Sequence, residues 1–243
     1  MRILTINNND SIGGAARASY NLYKGLCDIG IDSKMLVGTK ITNDYGVEGP
    51  ENKSDKLKSL LSRHIDDLPK NYFSTSNENL HSTGWFSALK AKSINKFNPD
   101  IIHLHWVQGG LLSVNTISRL NRPVVWTLHD MWAFCGAEHY TNGCMRYKEG
   151  YKKNNRPKGE TGFDLNRWVW KRKMKAWEKV KNLTIVAPSN WMAQCARESI
   201  LFKNRRIEVV HVGLNHHLYS PRSKNTVRQI LNIPLEKKII LIG

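Results

Sequence analysis

Short apolar runs alternate along this chain with longer stretches in which apolar residues recur every three or four positions. Arg2–Asn7 predicts a strand, and the polar turn Asn8-Asn9-Asp10-Ser11 leads through Gly13-Gly14 into a helix over Ala15–Ile29. That helix sets Ala18, Leu22 and Leu26 on one face and meets Gly30 as a stop signal. Ser33–Val37 predicts a second strand, and residues 39–53 a loop. Ser54–Leu68 predicts an amphipathic helix with Leu57, Leu60, Leu61 and Ile65 turned inward. Trp85–Phe97 predicts another helix, ended by Asn98-Pro99. A third strand comes next over Asp100–Trp106, then a short helix near Ser113–Leu120 and a fourth strand over Pro123–Leu128, closed by His129-Asp130. Residues 131–163, rich in Gly, Asn, Lys and Tyr, predict a loop. Beyond it lie a helix over Leu165–Lys181, a fifth strand over Leu183–Ala187, a helix over Asn190–Ser199 and a sixth strand over Arg206–Val212. Residues 213–226 predict a polar linker, and Lys237–Gly243 a buried strand running into a turn glycine.

Short strands alternating with helices imply an α/β fold: a doubly wound parallel sheet of about six strands, covered on both faces. The closing apolar run is how such a domain begins. The expected organisation is therefore one domain over residues 1–220, then a linker and the first strand of a second domain over residues 221–243. Ligands of open parallel sheets bind beyond the carboxyl ends of the strands, where the strand order reverses. The candidate segments are thus Asn7–Arg17, His105–Gly110, His129–Phe134, Pro188–Trp191 and Val212–Asn215.

Hydrophobic residues make up 40% of the 243, enough for a substantial core. There is no run of eighteen apolar residues, and the first residues form a strand pattern instead of a leader, so a cytoplasmic location is expected. The four cysteines fit a reducing compartment. The net charge of +17 is the outlier and points to an anionic partner: nucleic acid, acidic lipid or a phosphorylated substrate.

Gly13-Gly14-Ala15-Ala16-Arg17 opens the first helix, where bare backbone amides and the helix dipole attract an anion and Arg17 adds a fixed charge. A tight strand-to-helix turn needs the same glycines. The sequence has neither Gly-x-Gly-x-x-Gly nor a P-loop. His103 is expected to be a core histidine. His105 and Trp106 end the third strand, where a ligand can reach them. His129, followed by Asp130 and Trp132, ends the fourth, and a histidine there can bond a sugar hydroxyl or hold a proton near neutral pH. A structural histidine fits both positions as well. Ser189 stands after the fifth strand.

On a wheel of 100° per residue, Val169, Trp170, Met174, Ala176, Trp177 and Val180 share one face of the helix starting at Leu165. Lys171, Arg172 and Lys175 lie opposite with Lys179 and Trp168. A tryptophan among cations fits an interfacial membrane helix, and an ordinary core helix with a solvated face fits too. Cys135, Cys144 and His139 supply three candidates where structural zinc needs four ligands, so no metal is expected.

Together these segments resemble family 4 of the glycosyltransferases, retaining enzymes of the GT-B fold, of the colanic-acid and capsule type. The resemblance rests on Gly13-Gly14-Ala15-Ala16-Arg17-Ala18, Ile102-His103-Leu104-His105-Trp106, Trp126-Thr127-Leu128-His129-Asp130-Met131-Trp132-Ala133-Phe134, His139-Tyr140 and Ala187-Pro188-Ser189-Asn190-Trp191. It implies two Rossmann-like domains across a cleft, with this chain as the N-terminal, acceptor-side half. It also implies that Gly13 and Gly14 lie against the donor phosphates and the acceptor. His129 and Asp130 would be the catalytic residues, His129 contacting the transferred sugar as a positioning and electrostatic group, and Arg17, His105, Trp106, Trp132 and Ser189 would help bind substrates. The implied partners are a nucleotide-sugar donor and a saccharide or lipid-linked acceptor at the inner face of the membrane, with no cofactor or metal and no nucleic acid. Without the second domain, the chain alone is expected not to complete transfer.

Two departures stand out. Ala137-Glu138 and Lys152–Arg156 stand where relatives of this type often carry further cysteines, and Val212-Gly213-Leu214-Asn215 replaces an Asn-Gly-x-Asp stretch. Two other classes fit the same residues: a sugar-nucleotide epimerase or phosphorylase on the same fold, and a basic binding module without catalysis. The absence of helix-turn-helix, zinc-finger and RNP patterns turns the last toward a membrane surface and away from nucleic acid.

Overall fold

The apolar runs become a parallel sheet. The computed structural model describes residues 1–215 and 219–240, which fall into two compact units divided between Val212 and Gly213. The strands are β1 (Arg2–Asn9), β2 (Asp32–Thr39), β3 (Val47–Glu48), β4 (Phe73–Ser74), β5 (Ile101–Leu104), β6 (Val124–Thr127), β7 (Thr161–Gly162), β8 (Leu183–Ala187) and β9 (Arg206–Val209). The helices are α1 (Gly14–Asp28), α2 (Lys53–Asp67), α3 (Ala91–Asn95), α4 (Val114–Ile117), α5 (Arg146–Glu149), α6 (Leu165–Trp177), α7 (Asn190–Glu198) and α8 (Lys224–Ile230). Seven strands form the main sheet in the order β3-β2-β1-β5-β6-β8-β9, all pairs parallel, and β4 pairs with β7 apart from it. The chain leaves β1 toward β2 on one side and returns at β5 on the other, so the order reverses between β1 and β5.

Burial tracks the strands. Leu4, Ile6, Ile102, Leu104, Val124, Trp126 and Ile185 fill the core, joined by Trp132, Phe134 and Trp177 from the cover. Fully burying such side chains stabilises by roughly 1.5–3 kcal/mol each.

Several expectations change. The helix predicted over Trp85–Phe97 shrinks to Ala91–Asn95 because the preceding backbone is used elsewhere. The amides of Trp85 and Phe86 donate to the Asp66 carboxylate at 2.6 and 2.8 Å, and those of Ala88 and Leu89 to the Gly110 and Leu111 carbonyls. On α2 the inward face is Ser59, Ser62 and Asp66, whereas Leu57, Leu60 and Leu61 face solvent. Gly110 explains this: a Cβ there would lie 2.7 Å from the backbone of Ser62 and Arg63, so helix and loop meet at a distance only small residues allow.

The predicted loop 131–163 is in large part packed structure. Met131 to His139 are all buried, and α5 and β7 lie within the segment. Lys173 of α6, fully buried, donates to the carbonyls of Trp132, Cys135 and Gly136 and lies 3.6 Å from the Trp132 ring centre. Burial pushes its ammonium down to about 7. Arg146, 2% exposed, pairs with Glu160 at 3.1 Å and Asp164 at 3.3 Å, stacks on Tyr151, and donates to the Asn155 side-chain carbonyl at 3.3 Å. A buried guanidinium is tolerable only with such partners.

In the second unit the expected linker contains α8, capped by Ser223, with Arg228 donating to the Pro234 and Leu235 carbonyls. Residues 237–240 form no strand, and the end of the strand predicted over Lys237–Gly243 lies at 241–243, outside the described residues. Among the described residues no helix is long and apolar enough to cross a membrane.

Candidate functional site

Open parallel sheets bind ligands in the crevice where the strand order reverses, and here the loops leaving β1, β5 and β6 border that point. Side chains lace these strand ends together. Asn7 Oδ1 accepts the Trp106 amide at 2.8 Å, and the Asn8 amide and side chain donate to the carbonyls of Trp106 and Gln108. Asp10, missed by sequence reasoning, is 1% exposed, and its carboxylate accepts the Ile41 and Thr42 amides and the Thr42 hydroxyl at 2.6–3.0 Å. The loop leading to α1 is thereby fixed to the end of β2.

Gly13 precedes α1 at φ 91° and ψ 166°, a region almost confined to glycine, and brings no side chain to cap the helix. The first amides of α1 are left open, and nothing lies within 4 Å of where a Cβ on Gly13 or Gly14 would stand. Arg17 is exposed one turn further on. Open amides, a helix dipole and a free cation suit an anionic group.

Across the reversal the two strand-end histidines meet. β5 and β6 are neighbours, and His105 Nδ1 lies 2.9 Å from His129 Nε2. His103, one step earlier on the same face, bonds Thr127 Oγ1 at 2.8 Å, and its ring lies 4.3 Å from that of His105. Burial pushes His103 down to about 4 and, with His103 and His129 nearby, His105 well below its ordinary value. Burial also lowers His129, opposed by the Asp130 charge. All three rings are neutral at pH 7.

Neutrality leaves two tautomers for the pair, and the unpaired His105 Nε2 decides between them. If His105 Nδ1–H donates to His129 Nε2, the buried orphan is a bare lone pair. The reverse would bury an orphan N–H, which is the rarer and costlier outcome. His129 therefore carries its proton on Nδ1, the nitrogen with no protein partner, and offers it as a donor at the crevice.

Asp130 holds this corner together. Its Oδ1 accepts the Trp132 amide at 2.9 Å, and its Oδ2 meets the Trp106 indole N–H at 3.1 Å and His139 Nδ1 at 2.6 Å. Both oxygens thus bond to groups within the fold, and Asp130 braces Trp106, Trp132 and His139 together. His139 continues to Ser82 Oγ at 2.8 Å, and the Trp132 indole donates to the Ser82 carbonyl. Ser82 gave no signal in the sequence because it lies between the two predicted helices, Ser54–Leu68 and Trp85–Phe97.

The structure thus joins His105, His129, Trp106 and Asp130 into one network and sets Gly13, Gly14 and Arg17 across the reversal from it. Trp132 is fully buried in the core and has no surface to offer a ligand. The Ser189 hydroxyl caps α7 by accepting the Met192 amide. On α6, Trp168 and Arg172 are tied down: the guanidinium stacks over the indole at 4.6 Å and donates to the Thr83 and Gly84 carbonyls. Lys171 and Lys175 remain exposed. Among the described residues, no three His, Cys, Asp or Glu side chains converge as metal ligands.

Against known proteins, the sequence profile of Glycosyltransferase Family 4 matches residues 12–218. WcaC of Escherichia coli (strain K12), named as a colanic acid biosynthesis glycosyl transferase, is 27% identical over 174 residues, 65% of this chain and 41% of that protein. Among solved structures, Anabaena Alr3699/HepE in complex with UDP superposes with a TM-score of 0.45 at 14% identity, covering 96% of this chain and 50% of that one. Its complex with UDP-glucose gives a TM-score of 0.42 at the same identity and coverage. The chain thus spans half the length of these proteins or less.

Proposed function

The chain belongs to glycosyltransferase family 4, and we propose on that premise that it forms the N-terminal, acceptor-side half of a retaining GT-B enzyme. The whole enzyme moves a sugar from a nucleotide-sugar donor to an exopolysaccharide or lipid-linked saccharide acceptor at the cytoplasmic side of the membrane. The observation that carries this is the crevice at the order reversal, with open helix amides beside β1 and a neutral histidine donor beyond β6.

Each residue has a part. The amides of Gly13 and Gly14 and the charge of Arg17 meet the negative charge that grows on the departing diphosphate, which a preformed donor set stabilises without reorganising. His129 donates Nδ1–H to a hydroxyl of the transferred sugar. His105 fixes the tautomer that makes this bond, and Asp130 with Trp106 holds the loop that carries it. The charge on the leaving group is met by these groups, so no metal is assigned a part. The donor-binding half is assigned to the second domain of the whole enzyme.

The test is an assay of the protein at the length of its relatives, with a panel of labelled nucleotide sugars and lipid-linked acceptors. The anomeric configuration of the product is read by NMR. Transfer with retention is expected, reduced about a hundredfold in His129→Ala. Unchanged turnover in that variant removes His129 from the site. An epimerised sugar nucleotide formed without any acceptor overturns transfer.

A further inference from the structure

A cationic track runs down one flank of the sheet. Two clefts lie there, one on each side of α4, which packs against α6. The first, of about 800 Å³, lies between α3 and α4 and is walled by Lys90, Lys92, Lys96 and Arg119. The second, of about 360 Å³, lies between α4 and α6 and takes its charge from Arg172, Lys175 and Lys179. Asn115 lines both, so a chain lying across α4 enters the two clefts together. No acid lines either of them. Among the described residues none of the seven cations has an ion-pair partner. Like charges gathered without a counter-charge repel one another, and a polyanion laid along them relieves that repulsion.

The second cleft adds an aromatic wall. The Trp85 side chain is 44% exposed, while its backbone amide is held by the Asp66 carboxylate at 2.6 Å. An exposed ring thus stands on a fixed backbone. Exposed Asn115 and Asn121 supply amides that suit hydroxyl groups. Asn121 stands just before β6 begins, so the first cleft reaches the amino ends of the strands, away from the crevice.

We propose that this track binds a linear acidic glycan, with its carboxylates on the cations and a sugar ring against Trp85. A carboxylated sugar chain presents charge, hydroxyls and apolar C–H faces, and the track offers a partner for each. A lipid surface instead requires exposed apolar groups between the cations, and here Ala91, Val114 and Ala176 are buried. Single-stranded nucleic acid requires a series of aromatic platforms, and among the described residues Trp85 is the one aromatic side chain lining the clefts. The choice of a glycan also rests on the function proposed above, because an enzyme that builds polysaccharide meets such a chain as acceptor or product. Binding itself is measured without donor or transfer.

The experiment is isothermal titration of the chain with octagalacturonate, with maltooctaose as the neutral control. Octagalacturonate is expected to bind and maltooctaose not to. Lys92→Ala/Lys96→Ala/Arg119→Ala is expected to weaken binding about tenfold, at about twofold for each exposed cation. Trp85→Ala is expected to weaken it about fivefold. Lys152→Ala/Lys153→Ala/Lys158→Ala removes the same charge from exposed positions elsewhere and should leave binding nearly unchanged. Circular dichroism confirms that each variant is folded. Absence of octagalacturonate binding overturns the proposal. Equal weakening by the two triple variants does so too, since net charge alone then accounts for the binding. It is likewise overturned if duplex DNA or polyphosphate binds as tightly as octagalacturonate and is indifferent to Trp85→Ala. Loss of retention on phosphatidylglycerol vesicles in the track variant, with octagalacturonate binding intact, overturns it in favour of a lipid contact. At the full length of its relatives, the track variant is expected to keep its transfer to a short acceptor. Failure of the transferase assay with track binding intact would sink the proposed function and leave the track.

Discussion

The buried histidine pair and its neighbour make stability depend on pH with a definite sign. His103 falls from 6.5 when unfolded to about 4 when folded, because burial, and then the nearby His129, penalise its cation. Above the unfolded value both states are neutral and nothing is lost. As pH falls, the unfolded chain takes up a proton that the folded one refuses, so stability falls with it, and the loss is complete only below the folded value. Between about pH 7.5 and about pH 5.5 the linkage for this one side chain is about 1.3 kcal/mol, an upper value because the ring keeps some access to solvent. His105 and His129 shift in the same direction and steepen the total. The clean comparison is with His103→Gln, whose amide can still donate to Thr127 Oγ1. Urea denaturation of both proteins, monitored by tryptophan fluorescence at the two pH values, gives four free energies. The glutamine variant is expected to lose about 1 kcal/mol less than wild type on going to the lower pH. An identical loss in the two proteins would refute the assignment of a buried, neutral His103.

The site and its support give three further expected outcomes. Replacing His105 with Phe frees the His129 tautomer and should lower kcat of the full-length enzyme by tenfold or more. His105→Asn, which returns a donor near the Nδ1 position, should recover part of it; no difference between the two would show that only the volume of His105 matters. Gly13→Ala should cost about 1–3 kcal/mol in urea denaturation, because φ 91° with ψ 166° is closed to side chains. Gly14→Ala should be neutral or gain up to about 1 kcal/mol, so equal costs would argue against the φ explanation. Lys173→Met strands the carbonyls of Trp132, Cys135 and Gly136 and should destabilise by about 3–5 kcal/mol, and a thermal shift within error would show those carbonyls find other partners.

Strand periodicity made the sheet legible. The adjacency of β5 and β6 turned two isolated histidines into one pair, as the alternation of short strands implied. Other parts were hidden for specific reasons. Periodicity marks α2 as amphipathic but cannot say which face packs, and there the small side chains won because Gly110 allows backbone contact. Lys173 sits among other cations of α6, and composition does not distinguish a lysine aimed at buried carbonyls from one in water. Asp130 reads as an acid beside a histidine; only three-dimensional contacts show its oxygens already taken. The segment from Trp85 to Lys90 has helix-compatible residues, yet its amides are claimed by Asp66 and by the loop after β5, a tertiary demand that local propensity does not register.

Arg146 has a consequence for engineering. By holding Glu160, Asp164 and Asn155 at once, it clamps both ends of a small surface excursion, while Lys152, Lys153 and Asn154 stand exposed at its tip. Additional residues placed between Lys153 and Asn154 would hang from a base already closed. That makes this tip a permissive insertion point for an affinity tag or a reporter peptide, away from the loops after β1, β5 and β6.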